Sequence, residues 1–586
     1  VKVSFFTESA TFAHIQILIM RTALFFLLLV SYSTFLLGQA PEWFVYLDSV
    51  SVFSSPKAAD LTGDGTPDMV IGGGAEGASR LDGVAAINGA SGNRLWTHPV
   101  RDQLYGTALF RDITGDQVPE VFTGGRNAQY FALDGSSGVP VWEFFPDSLG
   151  KPADLGWYNF YNAQWIPDQN NDSVPDLVIT NGGDASAFPS DTTRPAGRLM
   201  ILSATDGSII AMDTMPDGRE TYCTPLVVEW NDTLRILFGS GGETVRGKYW
   251  EVKLSELRNN DISNARILAS DNSKGFIAVP SLADLNGDQE TDIIIPALNR
   301  KMIAIDGQTR LPLWTVDMPG AENYVSPAIG RFTGDASPDV FGIFAIGVFP
   351  FYSGFIKVLI DGSDGSIVWQ DTTPVYQFSQ VNAIDKDGDG TDEILLIRNW
   401  DAGFSVVDYR NIFSWFDPDT KVMTDFGFPR IGLNIYSTPL ISDFDLDGFL
   451  DIVFVYNTAS DSWYAPKGAR IERIDTGIPF TQPAWGGYMG NNGDGYYSPQ
   501  QATSLEFEDA LPFSLFPNPA KDFLKVSFEG NSSVPARLTD MQGRILRSIL
   551  LHPDDRIDLG GINPGVYILT MQMKGNPVSR KVILIP

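Results

Sequence analysis

Three periodic features of this sequence predict an all-β fold, an eight-bladed β-propeller followed by a small Ig-like β-sandwich. A nine-residue loop rich in side-chain oxygens recurs along most of the chain. An aromatic residue stands seven positions before almost every copy, and a glycine turn leading to a tryptophan follows several of them. Each unit reads as four short antiparallel strands, and four-stranded units repeating at this length are propeller blades.

The loop first appears as "DLTGDGTPD" at 60–68. It returns as "DITGDQVPE" at 112, "DQNNDSVPD" at 168, "DLNGDQETD" at 284, "RFTGDASPD" at 331, "DKDGDGTDE" at 385 and "DFDLDGFLD" at 443. The gap from 168 to 284 is about twice the usual period. It contains "YCTPLVVEWNDTLRILFGSGG", which reads as the same unit with its loop deleted and Glu229 at the first position. Eight starts then follow one another at steps of 52, 56, 61, 55, 47, 54 and 58 residues.

Seven residues before each start lie Phe53, Tyr105, Tyr161, Tyr222, Ile277, Tyr324, Phe378 and Tyr436. They belong near the start of each innermost strand, toward one mouth of a central channel. Such a ring can stack a sugar or a peptide, but aromatics also fill the wedges between blades, and that packing role is the simpler expectation. After the loops, "AINGASGNRLW", "ALDGSSGVPVW", "AIDGQTRLPLW" and "LIDGSDGSIVW" place hairpin turns ahead of Trp96, Trp142, Trp314 and Trp369. The segment "PEWFVYL" at 41–47 resembles such an outer strand and precedes the first full unit. It is expected to complete the blade of the 443 repeat and so close the ring.

Each loop poses a choice between a tight Asx turn and a cage for a cation. Oxygen side chains at positions 1, 3, 5 and 9, with a carbonyl at 7, can wrap a hard ion such as Ca²⁺. The candidate ligands are Asp60, Thr62, Asp64 and Asp68; Asp112, Thr114, Asp116 and Glu120; Asp168, Asn170, Asp172 and Asp176; Asp284, Asn286, Asp288 and Asp292; Asp385, Asp387, Asp389 and Glu393; and Asp443, Asp445, Asp447 and Asp451. Packing several carboxylates into one loop is repulsive without a cation, and six copies in register favour the cage. The expectation is about six Ca²⁺ per chain, tightest at 385 and 443, where four carboxylates stand together. The 331 loop carries Arg331 at position 1 and is expected to stay empty, its guanidinium lying against Asp335 and Asp339.

The chain has 586 residues, with 41 Lys plus Arg against 71 Asp plus Glu, a formal net charge of −30. Such a surface repels phosphate backbones, so nucleic acid is not an expected partner. Cys223 is the single cysteine, which excludes an intramolecular disulfide and leaves bound ions as the expected staples. Histidine is scarce: His98 alone lies within the repeats, beside Trp96, and reads as a packed strand residue. No catalytic residue is assigned, and no enzyme class is favoured.

Residues 20–40, "MRTALFFLLLVSYSTFLLGQA", have a basic start, a short apolar core and small residues at a cleavage position, the pattern of a signal peptide. A membrane anchor is the alternative, disfavoured by the interruption at Ser31, Ser33 and Thr34. Met20 is the expected true start, with residues 1–19 an upstream extension. The expected organisation is 1–40 extension and signal, 41–490 propeller, 491–509 linker and 510–586 a second domain. The mature chain is expected to carry no transmembrane segment and to be a monomer.

The D-x-[DNT]-x-D-x-x-x-[DE] loops resemble FG-GAP/VCBS repeats, the units of integrin-α-like calcium-binding propellers. The glycine turn and tryptophan resemble the repeat of quinoprotein propellers, although one cysteine cannot build the adjacent pair those enzymes use. The tail, with Pro517-Asn518-Pro519, Asp540, Gly543-Arg544 and Gly565-Val566-Tyr567, resembles the C-terminal sorting domain of the type IX secretion system. That resemblance implies Sec export, interaction with the secretion machinery, removal of the tail, and a location at the cell surface or outside the cell. The resulting expectation is a calcium-binding adhesion or ligand-binding protein whose ligand is a glycan or a surface protein. The alternative is a polysaccharide lyase, since some rhamnogalacturonan lyases resemble this architecture. The long insert at 149–165 and the loop at 182–198 are the expected binding surface.

Overall fold

A computed structural model describes residues 41–497, apart from 145–156, 185–186, 188–190, 350, 375, 463–464 and 466. It further describes 514–584, apart from 517–519, 522, 529–532, 541–544, 554, 564 and 574–575. The expected signal peptide, most of the expected linker, much of both long inserts and the Pro-Asn-Pro and Gly-Arg elements of the tail lie outside the described residues. The chain forms two compact units, 1–500 and 501–586.

The first unit is a succession of antiparallel sheets of four or five strands, built as a β-propeller. The first sheet is a simple meander of Lys57–Ala59, Asp68–Gly72, Arg80–Ile87 and Arg94–Val100. Further sheets follow within 109–144, 159–214, 226–270, 281–317, 321–373 and 382–431. The sheet at 440–479 takes Trp43–Asp48 as its fourth strand, in antiparallel register from Trp43 opposite Arg473 to Asp48 opposite Gly468. Second strands such as Asp68–Gly72, Glu120–Gly124 and Asp292–Ala297 are buried along their whole length, because a neighbouring sheet covers each face. Edge strands alternate instead: Trp43, Val45 and Leu47 point inward while Phe44, Tyr46 and Asp48 face solvent.

Consecutive sheets are locked by the periodic tryptophans. Trp96 Nε1 donates to the Gly135 carbonyl at 2.7 Å, Trp142 to Ala204 at 2.7 Å and Trp314 to Gly362 at 2.7 Å, each reaching the hairpin turn of the next repeat. Trp43 makes the same bond to Gly89 at 2.8 Å, joining the sheet that holds both ends of the unit to the first full repeat. The 229 repeat has no loop. Leu226–Trp230 and Thr233–Gly239 meet in a two-residue turn with Asn231 and Asp232 at φ 51° and 55°.

Residues 481–497 differ from the expectation. The sequence places a linker at 491–509, yet 491–497 pack together with 481–490 as one strap across the innermost strands. Trp485 pairs with Ala383 and Tyr496 with Leu282. Trp485 and Met489 are buried, and Gln164 Nε2 donates to the Gly493 carbonyl at 3.0 Å. The glycines let the strap lie against backbone, and its aromatics supply the anchoring.

The second unit contains two antiparallel sheets. Leu524, Val526, Leu538, Leu551, Ile557, Leu569 and Met571 form their shared core.

Candidate functional site

The acidic loops share one internal geometry. In the 60 loop, Asp60 Oδ1 accepts from the Gly63 N–H at 2.7 Å and Oδ2 from Gly65 at 2.9 Å. Asp64 Oδ1 accepts from Thr66 at 2.8 Å, and Asp68 Oδ2 from Leu61 at 2.9 Å. The 112, 168, 284 and 385 loops repeat this pattern through Asp112, Asp168, Asp284 and Asp385. The turn requires a left-handed residue at position 4, which Gly63 supplies at φ 72° and Leu446 at φ 62° in the 443 loop. Each carboxylate oxygen that accepts one N–H keeps another lone pair for a cation.

Position 9 is the buried acid. Asp68, Glu120, Asp176 and Asp292 have no exposed surface, and Glu393 and Asp451 are nearly as enclosed. Burial pushes Asp176, Asp292 and Asp451 up to about 6 and Glu393 to about 7. In three loops carboxylate oxygens converge within 4.8 Å of one another: Asp116, Glu120 and Asp134; Asp385, Asp387 and Glu393; and Asp443, Asp445 and Asp451. All are hard oxygen donors, a set that fits a hard divalent cation. Asp134 was not among the predicted ligands. It comes from the Asp-Gly turn of the following hairpin, and that turn's approach to the loop is a tertiary contact that loop spacing does not reveal.

Two of these clusters contain a cation of the chain's own. Lys386 Nζ lies 2.5 Å from Glu393 Oε1 and 3.4 Å from Asp387. The buried Arg473 guanidinium lies 2.5 Å from Asp445 and 3.0 Å from Asp451. Arg331 is also placed differently from the expectation. Its Nη2 donates to the Gly390 carbonyl at 2.7 Å, and its backbone N–H to Asp392 at 2.7 Å, both in the neighbouring 385 loop. Asp339 is satisfied without it, by the N–H groups of Phe332, Thr333 and Gly362 and the Thr333 hydroxyl.

A second site lies inside the propeller. A cavity of about 610 Å³ is lined by all eight residues of the periodic series, from Phe53 to Tyr436. Their rings meet in sequence: Phe53 with Tyr105 at 5.9 Å, Tyr161 with Tyr222 at 6.1 Å, Tyr324 with Phe378 at 6.0 Å and Phe378 with Tyr436 at 5.0 Å. Phe53 also meets Tyr436 at 5.7 Å, joining the first repeat to the last. Seven of the eight are only half-buried, so they border open space. That is where they differ from the wedge-filling expectation. Toward the acidic loops the cavity ends on the strap: Tyr488 lines it, and the Tyr488 carbonyl accepts from Lys57 Nζ at 2.9 Å. Burial lowers Lys57 to about 8, against the attraction of Asp494.

The other end of the cavity carries charge. Arg126 lies 2.8 Å from Glu76 and 3.6 Å from Asp102. Arg194 lies 3.8 Å from Glu220, which also accepts from the Tyr222 hydroxyl at 2.9 Å. Lys274 lies 2.5 Å from Glu322, which accepts from the Tyr352 hydroxyl at 2.6 Å. Burial raises Glu220 to about 7, with Glu243 and Asp184 pushing the same way against Tyr222 and Arg194. His98 sits elsewhere, buried edge-on to Phe131 at 4.9 Å, as a packed strand residue. Among the described residues no helix is long and apolar enough to cross a membrane.

Comparison with known proteins places the tail. Residues 514–585 match the family described as Secretion system C-terminal sorting domain, which implies export to the cell surface or the extracellular space by the type IX route. The human protein FAM234B is 22% identical over 351 residues, 55% of this chain and 52% of that protein. The chain thus spans about half the length of the curated relatives it matches. Among solved structures, the quinohemoprotein alcohol dehydrogenase ADHIIG from Pseudomonas putida HK5 aligns with TM-score 0.48 and 11% identity, over 76% of this chain and 77% of that one. The exotype rhamnogalacturonan lyase YesX aligns with TM-score 0.45 and 14% identity, over 74% of each. Neither likeness assigns a chemistry to this chain.

Proposed function

We propose that this chain is an exported, non-catalytic binding protein: a closed eight-bladed propeller with calcium in its loops and a ligand site in its central cavity. The observation that carries the reading is the convergence of all eight residues of the periodic series, seven of them aromatic, on one cavity that ends on the strap. A wedge-packing role would leave these rings buried between sheets. The Trp43 bond to Gly89 and the Phe53–Tyr436 contact support closure of the ring. The acid clusters support calcium, with the 60, 112, 168 and 284 loops free of an internal cation and therefore filled first. The two-sheet second unit is the Ig-like domain that serves as address label and is removed at the surface.

The ligand is a glycan or a surface protein. The rival reading, a polysaccharide lyase, requires a base and a charge-neutralising group at the site. The mature chain with calcium should bind members of a glycan or surface-protein array while producing no unsaturated product, read as ultraviolet absorbance, on a pectin panel. Accumulation of that absorbance would overturn the non-catalytic reading.

A further inference from the structure

We propose that the central cavity selects a cationic ligand, an organic ammonium such as a quaternary amine or the amine-bearing end of a basic peptide. This rests on the reading of the cavity as a ligand site and names the chemistry it takes.

The first observation is the charge balance at the open end. Among the described residues, six carboxylates gather there, Glu76, Asp102, Asp184, Glu220, Glu243 and Glu322, with three cations paired among them, Arg126, Arg194 and Lys274. Arg126 is already opposed by Glu76 and Asp102, and Arg194 acts on both Glu220 and Glu243. Neither has charge to spare for an anion. An incoming carboxylate would meet a net negative entrance in a partly desolvated site, where like charges repel more strongly than in water. The raised Glu220 and Glu243 agree with that geometry, since burial is joined by repulsion from Glu243 and Asp184 at the first and from Glu322 at the second.

The second observation is the wall. Phe and Tyr rings present negative faces, and a cation within about 6 Å of a ring centroid is attracted to them, by ~2 kcal/mol or more when desolvated. Seven rings of the periodic series line this one cavity, with Phe349 and Tyr488 beside them, and neighbouring rings are close enough to enclose an ammonium group from several sides. The volume of about 610 Å³ is in the range of small-ligand sites. Because the strap closes the far end, the cavity accepts a small molecule or a chain end and not a threaded polymer.

The net charge of −30 adds a field that draws cations toward the whole molecule, so the test must separate the cavity from the surface. Choline, tetralysine, cellotetraose and tetragalacturonate are titrated into the full chain with calcium present, followed by calorimetry. Choline and tetralysine should bind. Glu243→Gln should weaken them tenfold or more, and Ala278→Trp, which fills the cavity, should abolish binding. Should the Trp variant fail to fold, Glu243→Gln still decides, because Glu243 is half-buried at the rim. Ammonium binding indifferent to Glu243→Gln would locate it on the outer surface and overturn the proposal. Cellotetraose or tetragalacturonate binding that Ala278→Trp abolishes, without choline binding, would overturn the charge assignment and keep the cavity as a ligand site. Binding of none of the four probes overturns the cation assignment; the cavity reading falls too if Ala278→Trp leaves array binding unchanged.

Discussion

Lys386 and Arg473 turn the simplest count of ligands upside down. The 385 and 443 loops have the most carboxylates, and on that ground they are expected to hold calcium most tightly. Yet each carries a cation within about salt-bridge distance of two of those acids. A calcium ion entering either loop must displace or repel that charge. Arg473 has no exposed surface to retreat to, whereas Lys386 is partly exposed and can swing into water. Lys386→Gln should therefore raise calcium affinity at the 385 loop by about tenfold, which is ~1.4 kcal/mol. Calcium titration of wild type and variant checks this, and an unchanged or weakened site would mean that the ammonium is not in the ion's way. Arg331 makes the complementary point. Its guanidinium ties the 331 loop to the Gly390 carbonyl of the next repeat, so it acts between blades and not as a stand-in ion within its own loop. Arg310 is a third case. It adopts φ 63° where other repeats place glycine, stacks on Trp230 at 3.6 Å and pairs with Glu251 at 2.9 Å, beside the one repeat that has no loop.

At the scale of strands and turns, the repeat is held by tryptophan packing on glycine. A Cβ on Gly92 would lie 2.6 Å from the Trp43 Cβ and 2.7 Å from its ring, and one on Gly138 2.5 Å from the Trp96 ring; both glycines have φ 70°. Gly92→Ala and Gly138→Ala should each cost roughly 2–4 kcal/mol, from left-handed strain plus overpacking. Equal losses in urea unfolding are expected, because the joint at Trp43 is built like the others. A nearly silent Gly92→Ala would mean that the N-terminal strand does not close the ring. The strap gives a second test through Lys57. Its folded pKa is lowered by burial to about 8, against about 10.4 in the unfolded chain. Between those values the unfolded state holds more protons, so stability should rise with pH, by at most about 3 kcal/mol. Tyrosines with raised pKa oppose this near pH 10, which sets the useful window at about pH 7.5–9.5. Lys57→Met should flatten the rise across that window; an identical slope would mean that Lys57 is not buried under the strap. Strands, loops and the pairing of Trp43–Asp48 are legible in the sequence because each follows a local period. The strap is not, since its glycine-rich composition is also that of a linker and only Trp485, Tyr488 and Tyr496 mark it as packed. The cavity is half legible. Spacing puts the aromatics in register, but whether they face a wedge or a channel depends on how tightly the sheets close around the axis.

For the molecule as a whole, the organising fact is an excess of negative charge in a chain with one buried cysteine. No disulfide opposes unfolding, and acids are concentrated in loops at the ends of the innermost strands. The sorting domain implies export, and under the proposed calcium reading the exterior is where these loops would find their ion. The calcium contribution follows from linkage: with site affinities of about 10⁻⁴–10⁻³ M and about 2 mM free ion, each occupied loop adds ~0.6–1.8 kcal/mol. Four loops without an internal cation then add roughly 3–7 kcal/mol, comparable with the net stability of a domain. On that proposal the gain is also electrostatic, because an ion would relieve a buried position-9 acid such as Asp176 or Asp292 that burial pushes toward neutrality. Excess chelator should therefore lower the melting temperature well beyond a sodium chloride control of equal ionic strength, and returning calcium should restore it. The loss should grow above about pH 6, where those acids ionise without a partner, and shrink below it as they protonate. Equilibrium calcium titration should find about four ions filling at about 10⁻⁴–10⁻³ M, with further ions only at higher calcium. A melting curve that chelator leaves unchanged at pH 7.5 would mean that the N–H bonds inside the loops suffice to hold them, and that the acids are turn-formers without an ion.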